Sequence, residues 1–209
     1  MAFKVEEKGE NMVKNVVLDV GRVLVEFEPL EHLKKLYDEK IAHDLYEHVF
    51  NSKEWIDLDR GTITNNEAIE IISKRYLRNH VEDIMQNWTN IVKPIDGTVQ
   101  IVRDLKEKNY KLYLLSNFHK EAFIKVFEKH EFFKLFDGRV VSSDVHLLKP
   151  EKEIYTKLCD TYDIKPEESV FIDDMIINIE AATKIGFKGI CFESSKQLKS
   201  HLKNMGVFD

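Results

Sequence analysis

The 209-residue chain is 43% hydrophobic and 33% charged. That balance excludes a disordered or collagen-like polymer and leaves room for one sizeable core, or a core with a smaller inserted domain. Its 31 basic and 37 acidic side chains give a net charge of −6, without the basic excess of a nucleic-acid binder, and no apolar run reaches the ~20 residues of a membrane span, so neither nucleic acid nor membrane is an expected partner.

The chain opens on "MAFKVEEKGEN", a polar stretch with no apolar segment of signal-peptide type, so residues 1–13 read as a tail. Met12 is an alternative start. A cytoplasmic protein, monomeric or a weak homodimer, is the expectation. Cys159 and Cys191 suit buried thiols better than a disulfide in a chain of this size and class. The first strand is expected at 15–20, in "NVVLDV". After it, residues 28–93 carry no convincing strand. They read as amphipathic helices in "PLEHLKKLYDEKIAHDLYEHVF", "TNNEAIEIISKRYL" and "HVEDIMQNW", the second opened by a Thr64/Glu67 capping box. Pro29 and Pro94 mark the edges of this insert.

From residue 96 onward, helix and strand alternate. Helical spacing at 96–109, 120–133, 151–163 and 178–186 separates short apolar runs at 111–117, 138–143, 169–174 and 188–194, and "SSKQLKSHLKNMG" closes the chain as a helix. Runs that are apolar throughout, rather than alternating, suit strands buried on both faces of a parallel sheet. The expected fold is therefore α/β: a doubly wound parallel sheet built from 14–27 and 94–209, interrupted by a helical domain at 28–93.

Open α/β sheets bind ligands beyond the carboxyl ends of their strands. There the chain offers Asp19 after the first strand, Ser116 and Asn117 after the second, Lys149 after the third, and Asp173 with Asp174 after the fourth. Each alone reads equally well as a turn former, a helix cap or a loop residue. Together they make a site. Three clustered carboxylates repel unless a cation lies among them, and hard oxygen ligands suit Mg²⁺ with a substrate phosphate. A carboxylate can attack phosphorus, given a cation and an ammonium to offset the charge, while Ser116 and the backbone N–H groups near Asn117 hold the phosphate oxygens.

In this order "VVLDVG", "LYLLSN", "LLKPEKEIY" and "VFIDDMIINIEAA" resemble the four motifs of the haloacid dehalogenase superfamily, and the helical insert is similar to that superfamily's small cap. The resemblance implies a Rossmann-like core and a Mg²⁺-dependent phosphatase acting on a small phosphorylated metabolite, a sugar phosphate among the candidates. It implies Asp19 as nucleophile, Lys149 as its partner, and Ser116 and Asn117 at the phosphate. Asp19, Asp174 and the Gly21 carbonyl would hold the metal, with Asp173 acting through a water and Asn178 orienting the loop.

The chain departs from the pattern at Gly21, where most phosphatases of the superfamily carry a second Asp as general acid and base. The "D-x-G-x-V" form is similar to a branch that includes glucose-1-phosphate phosphatases. His146 is a possible stand-in acid or a surface residue, and Arg22, Trp55, Asp57 and Arg60 are candidates for reading the substrate. Glu26 and Glu28 belong to the entrance or to a solvated hinge. Two rival readings are a catalytically silent binding protein, kept open by the missing acid, and a metal-independent dehalogenase, which the doubled acid of "IDD" disfavours.

Overall fold

The structure is a computed structural model that describes residues 12–208; the expected tail falls outside them up to residue 11. Its centre is a five-stranded parallel sheet of β1 (Asn15–Leu18), β4 (Lys111–Ser116), β5 (Gly138–Val141), β6 (Ser169–Asp173) and β7 (Lys188–Cys191), in the order β5-β4-β1-β6-β7. A separate two-stranded ribbon pairs β2 (Val25–Glu26) with β3 (Lys93–Pro94), Val25 opposite Pro94 and Glu26 opposite Lys93.

Burial explains the central place of β1. Val16 and Leu18 point into one apolar cluster with Leu112, Leu114, Val170 and Ile172. Val17, between them, points into a second cluster with Tyr113, Leu115 and Phe171. Side chains alternate across a strand, so two apolar faces require an unbroken apolar run. The register sets Leu18 beside Leu114 and Ile172, which brings the carboxyl ends of β1, β4 and β6 to one edge.

The insert lies between the ribbon strands. It comprises α1 (Pro29–Leu36), α2 (Glu39–Leu45) with a π-turn after it at Tyr46–Phe50, α3 (Lys53–Arg60), α4 (Asn65–Ile72) and α5 (Arg78–Asn87). Pro29 stands in the first turn of α1, where its missing N–H costs nothing. Asp38 caps α2 through the Ile41 N–H at 3.0 Å, which splits the long helix expected over 29–50. Thr64 and Glu67 form the expected capping box of α4. The helix α3, with Ser52 as N-cap and Gly61 at φ 72 as its left-handed stop, does not appear among the stretches read from the sequence.

Around the sheet lie α6 (Asp96–Glu107), α7 (Lys120–Lys129), the short α8 (Ser142–Val145), α9 (Lys152–Tyr162), α10 (Ile176–Thr183) and α11 (Ser195–Asn204). Val99, Val102 and Leu105 of α6 and Leu198 and Leu202 of α11 cover one face. Ile154, Tyr155 and Leu158 of α9 and Ile179 of α10 cover the other. Among the described residues no helix is long and apolar enough to cross a membrane, and Cys159 and Cys191 are free thiols.

Candidate active site

Asp19 is the first residue past β1, its N–H donating to the Ile172 carbonyl at 2.9 Å. Its side chain is only 12% exposed and meets Lys149, whose Nζ lies 2.8 Å from Asp19 Oδ1. The same Nζ donates to Asp173 Oδ2 at 2.6 Å. The contact with Asp19 is an ion pair outside hydrogen-bond geometry, so Asp19 Oδ1 is a buried oxygen with no hydrogen bond. Asp173 is fully buried and satisfied: its Oδ1 accepts from the Met175 N–H at 2.8 Å and from Asn178 Nδ2 at 2.9 Å. Tyr155 in turn donates to the Asn178 carbonyl at 3.0 Å. Asn117 and Lys149 exchange a reciprocal pair, Nδ2 to the Lys149 carbonyl at 3.0 Å and Oδ1 from the Lys149 N–H at 2.8 Å, which ties the end of β4 to the loop before α9.

One oxygen each from Asp19, Asp173 and Asp174 lies within 4.8 Å of the others. Burial, offset by Lys149 and reinforced by Asp173, raises Asp19 to about 6. Burial and then Asp173 raise Asp174 as well. For Lys149, burial works against the charge, but Asp19 and Asp173 outweigh it and hold the ammonium above its ordinary value. Asp19 and Asp174, crowded and harder to ionise than usual, are what a hard cation would relieve.

The cluster forms the floor of a cleft of about 250 Å³. Its walls are apolar: Val25, Phe27, Trp55, Trp88, Val92 and Phe118. Its polar lining includes Asp19, Arg22, Asn117, Lys149 and Asp174, together with a carboxyl that sequence reasoning passed over, Asp59 near the end of α3. Asp59 Oδ1 stands 3.6 Å from His119 Nε2, a buried nitrogen with no hydrogen bond. Burial first, then the Asp19 charge, pushes the Asp59 carboxyl up to about 8. Burial alone pushes His119 down to about 3. Both are therefore neutral near pH 7. The Asp59 carbonyl is held by Ser142 Oγ, which also accepts the Phe118 N–H at 2.9 Å. A second cleft of about 320 Å³ shares Trp88 and His119 with the first and is lined further by Lys120, Asp144 and His146, but none of the clustered acids reaches it.

The other expected residues divide. Trp55 lines the cleft, edge-on to His119 with centroids 4.4 Å apart. Arg22 lines it too, its Nη1 4.0 Å from Asp174 and its Nε 3.2 Å from Glu28. Asp57 is paired with Lys53 and lies outside the cleft. Arg60 instead forks onto Glu151, at 3.2 and 2.5 Å, and reaches the His146 carbonyl at 3.3 Å. His146 Nδ1 meets the Arg60 carbonyl at 3.0 Å, so both residues join insert to core rather than face the acids. Ser116 is buried at the end of β4 and does not line the cleft, whereas Asn117 does. Gly21 does not supply the left-handed turn: Arg22 does, at φ 56, and nothing lies within 4 Å of a Cβ built on Gly21.

A sequence model of haloacid dehalogenase-like hydrolases matches residues 22–192, beginning three residues past Asp19. The chain belongs to that family. Among curated relatives it is similar to a sesquiterpene phosphatase of Aspergillus oryzae, 24% identical over 179 residues that cover 85% of this chain and 88% of the relative. It is also similar to a phosphorylated carbohydrates phosphatase of Thermotoga maritima, 23% identical over 182 residues, 84% of this chain and 82% of the relative. In fold it matches the magnesium complex of a family enzyme from Bacteroides thetaiotaomicron, with a TM-score of 0.71 at 22% identity, over 91% of this chain and 98% of that one.

Proposed function

We propose that the chain is a Mg²⁺-dependent phosphatase that hydrolyses a monophosphate ester through a phosphorylated Asp19. The observation that carries this reading is the buried Asp19 carboxylate, ion-paired with Lys149 at 2.8 Å and within 4.8 Å of two further carboxylates at the carboxyl edge of the sheet. Asp19, Asp174 and the Gly21 carbonyl would hold the metal. Asp173 has both oxygens engaged and serves from behind, while Asn178 fixes its rotamer. When bound, Mg²⁺ withdraws charge from the phosphate oxygens and lets the nucleophile approach an anion. Lys149 holds Asp19 ionised beside the phosphorus, and the Asn117 backbone N–H orients the phosphate oxygens.

The helical insert at 28–93 acts as the cap. Apart from Asp59, its contribution to the cleft is aromatic and aliphatic, from Trp55, Trp88 and Val92, which favours an ester of an apolar alcohol over a sugar phosphate. Sugar hydroxyls buried against Phe27, Trp55 and Trp88 would lose water without replacement, at about 1–3 kcal/mol for each unsatisfied group. The sesquiterpene phosphatase among the relatives supports that preference. The test is release of inorganic phosphate from 4-nitrophenyl phosphate with Mg²⁺ and with a chelator. Turnover should require the metal and fall at least ~10³-fold in Asp19→Asn; turnover unaffected by that substitution rejects the reading.

A further inference from the structure

The acid missing at position 21 has not been replaced nearby in sequence. The space beside Gly21 is open, so the protein tolerates rather than requires the absence of a side chain there. Three carboxyl-bearing residues line the cleft among the described residues: Asp19, Asp174 and Asp59. The first two belong to the acid cluster on the floor. Asp59 comes from the insert rather than from the sheet, and among the described residues no Lys or Arg side chain forms an ion pair with it. We infer that Asp59 is the catalytic acid and base of this enzyme, supplied by the cap in place of a residue on the β1 loop. The inference rests on the phosphatase reading of the same cleft.

The placement of Asp59 is built, not incidental. It lies one helical turn after Trp55, so both project from the same face of α3. The helix end is fastened to the core by the bond from Ser142 Oγ to the Asp59 carbonyl and, one residue on, by the Arg60 fork to Glu151. The Asp59 carboxyl itself stands 3.6 Å from His119 Nε2. The charged and titratable groups that face it are Asp19 from the end of β1, Lys149 from the loop before α9, and His119 after β4. With Asp19 ionised and His119 neutral, the carboxyl holds its proton at neutral pH, the form a donor needs.

An Asp19 oxygen bonds to phosphorus while the ester P–O bond breaks. The Asp59 proton passes to the departing oxygen, which gives a neutral alcohol and an Asp59 carboxylate. Water then attacks phosphorus as Asp59 takes one of its protons; the Asp19 O–P bond breaks, phosphate leaves, and both carboxyl groups return to their starting forms.

The experiment compares kcat/KM, which reports phosphoryl transfer to Asp19, for wild type and Asp59→Asn over esters of rising leaving-group pKa: 2,4-dinitrophenyl, 4-nitrophenyl, phenyl and alkyl phosphates. Asparagine imitates the neutral carboxyl in shape, and Asp59→Ala serves as a second variant. Both should lose ~10²–10⁴-fold on the alkyl ester and within about threefold on the dinitrophenyl ester, whose oxygen departs without a proton. An equal loss on all four esters, the mark of a cap that has merely shifted, overturns the inference, as does no loss on the alkyl ester. Asp19→Asn is measured beside them. If it leaves turnover intact, the phosphatase reading fails on its own account, whereas a dead Asp19→Asn with a uniform Asp59 series rejects only the role of Asp59.

Discussion

Asp59, whose side chain is 16% exposed in the cleft, and His119, whose ring is 7% exposed, depart from their ordinary titration in opposite directions, with opposite effects on stability. His119 has a folded pKa of about 3, below the ~6.5 of an unfolded chain, so its contribution is full above pH ~6.5 and is lost as pH falls toward 3. Asp59 has a folded pKa of about 8, above the ~3.9 of an unfolded chain, so its contribution is full below pH ~3.9 and is lost as pH rises toward 8. Between pH 4 and 6.5 the two slopes, each about 1.4 kcal/mol per pH unit, oppose. Urea denaturation across that range should therefore show His119→Gln gaining stability relative to wild type as pH falls, and Asp59→Asn losing it; superimposable profiles would contradict the burial of both. The sequence held most of the floor residues in plain view, because strand ends and four ordered motifs locate Asp19, Lys149, Asp173 and Asp174. It misdirected attention to Asp57, which lies two residues from both Trp55 and Asp59 and so on the other side of the helix. Trp55 and Asp59, four apart, are the pair that helical geometry puts on one face.

At the level of elements, the sheet was legible because its central strands β1, β4 and β6 are buried on both sides and so written as apolar runs, which the half-exposed edge strands β5 and β7 follow less strongly. The helix α3 was not, although Ser52, Trp55, Leu58 and Gly61 carry its cap, its stripe and its stop. Eight residues with three acids give too weak a periodic signal to stand against the longer helices on either side. The stop is also where α3 touches the core: a Cβ built on Gly61 would lie 2.4 Å from the Ser143 carbonyl oxygen. Gly206 has the same φ of 72 with nothing within 4 Å, and so isolates the backbone effect. Both Gly→Ala variants should lose about 1–2 kcal/mol of stability to the left-handed conformation. Only Gly61→Ala should also lose activity, by tenfold or more in kcat/KM on phenyl phosphate, because the wedge moves Asp59 away from Asp19. Equal activity in the two would show that the α3 contact does not set the chemistry.

Across the whole molecule the two parts of the chain divide the work. The sheet provides the charged floor, and the ribbon and insert provide walls in which Phe27, Trp55 and Trp88 lie 5.2–6.2 Å apart, centroid to centroid. Removing one wall should change selectivity more than chemistry. Trp55→Ala should lower kcat/KM for an isoprenoid monophosphate by at least about tenfold, some 1.4 kcal/mol, while a short polar ester changes little; a wild type that prefers sugar phosphates to isoprenoid ones would refute the apolar assignment.

The position of Asp59 on the insert rather than the floor also bears on molecules the enzyme does not turn over. An ester too bulky for α3 to settle above it would still find Lys149, Asn117 and the acid cluster for its phosphate, but no proton for its departing oxygen. Such a compound would be held without being hydrolysed. With Asp59 as the acid, oversized phosphate esters should act as competitive inhibitors, and a bulky ester turned over as fast as a small one would count against that role.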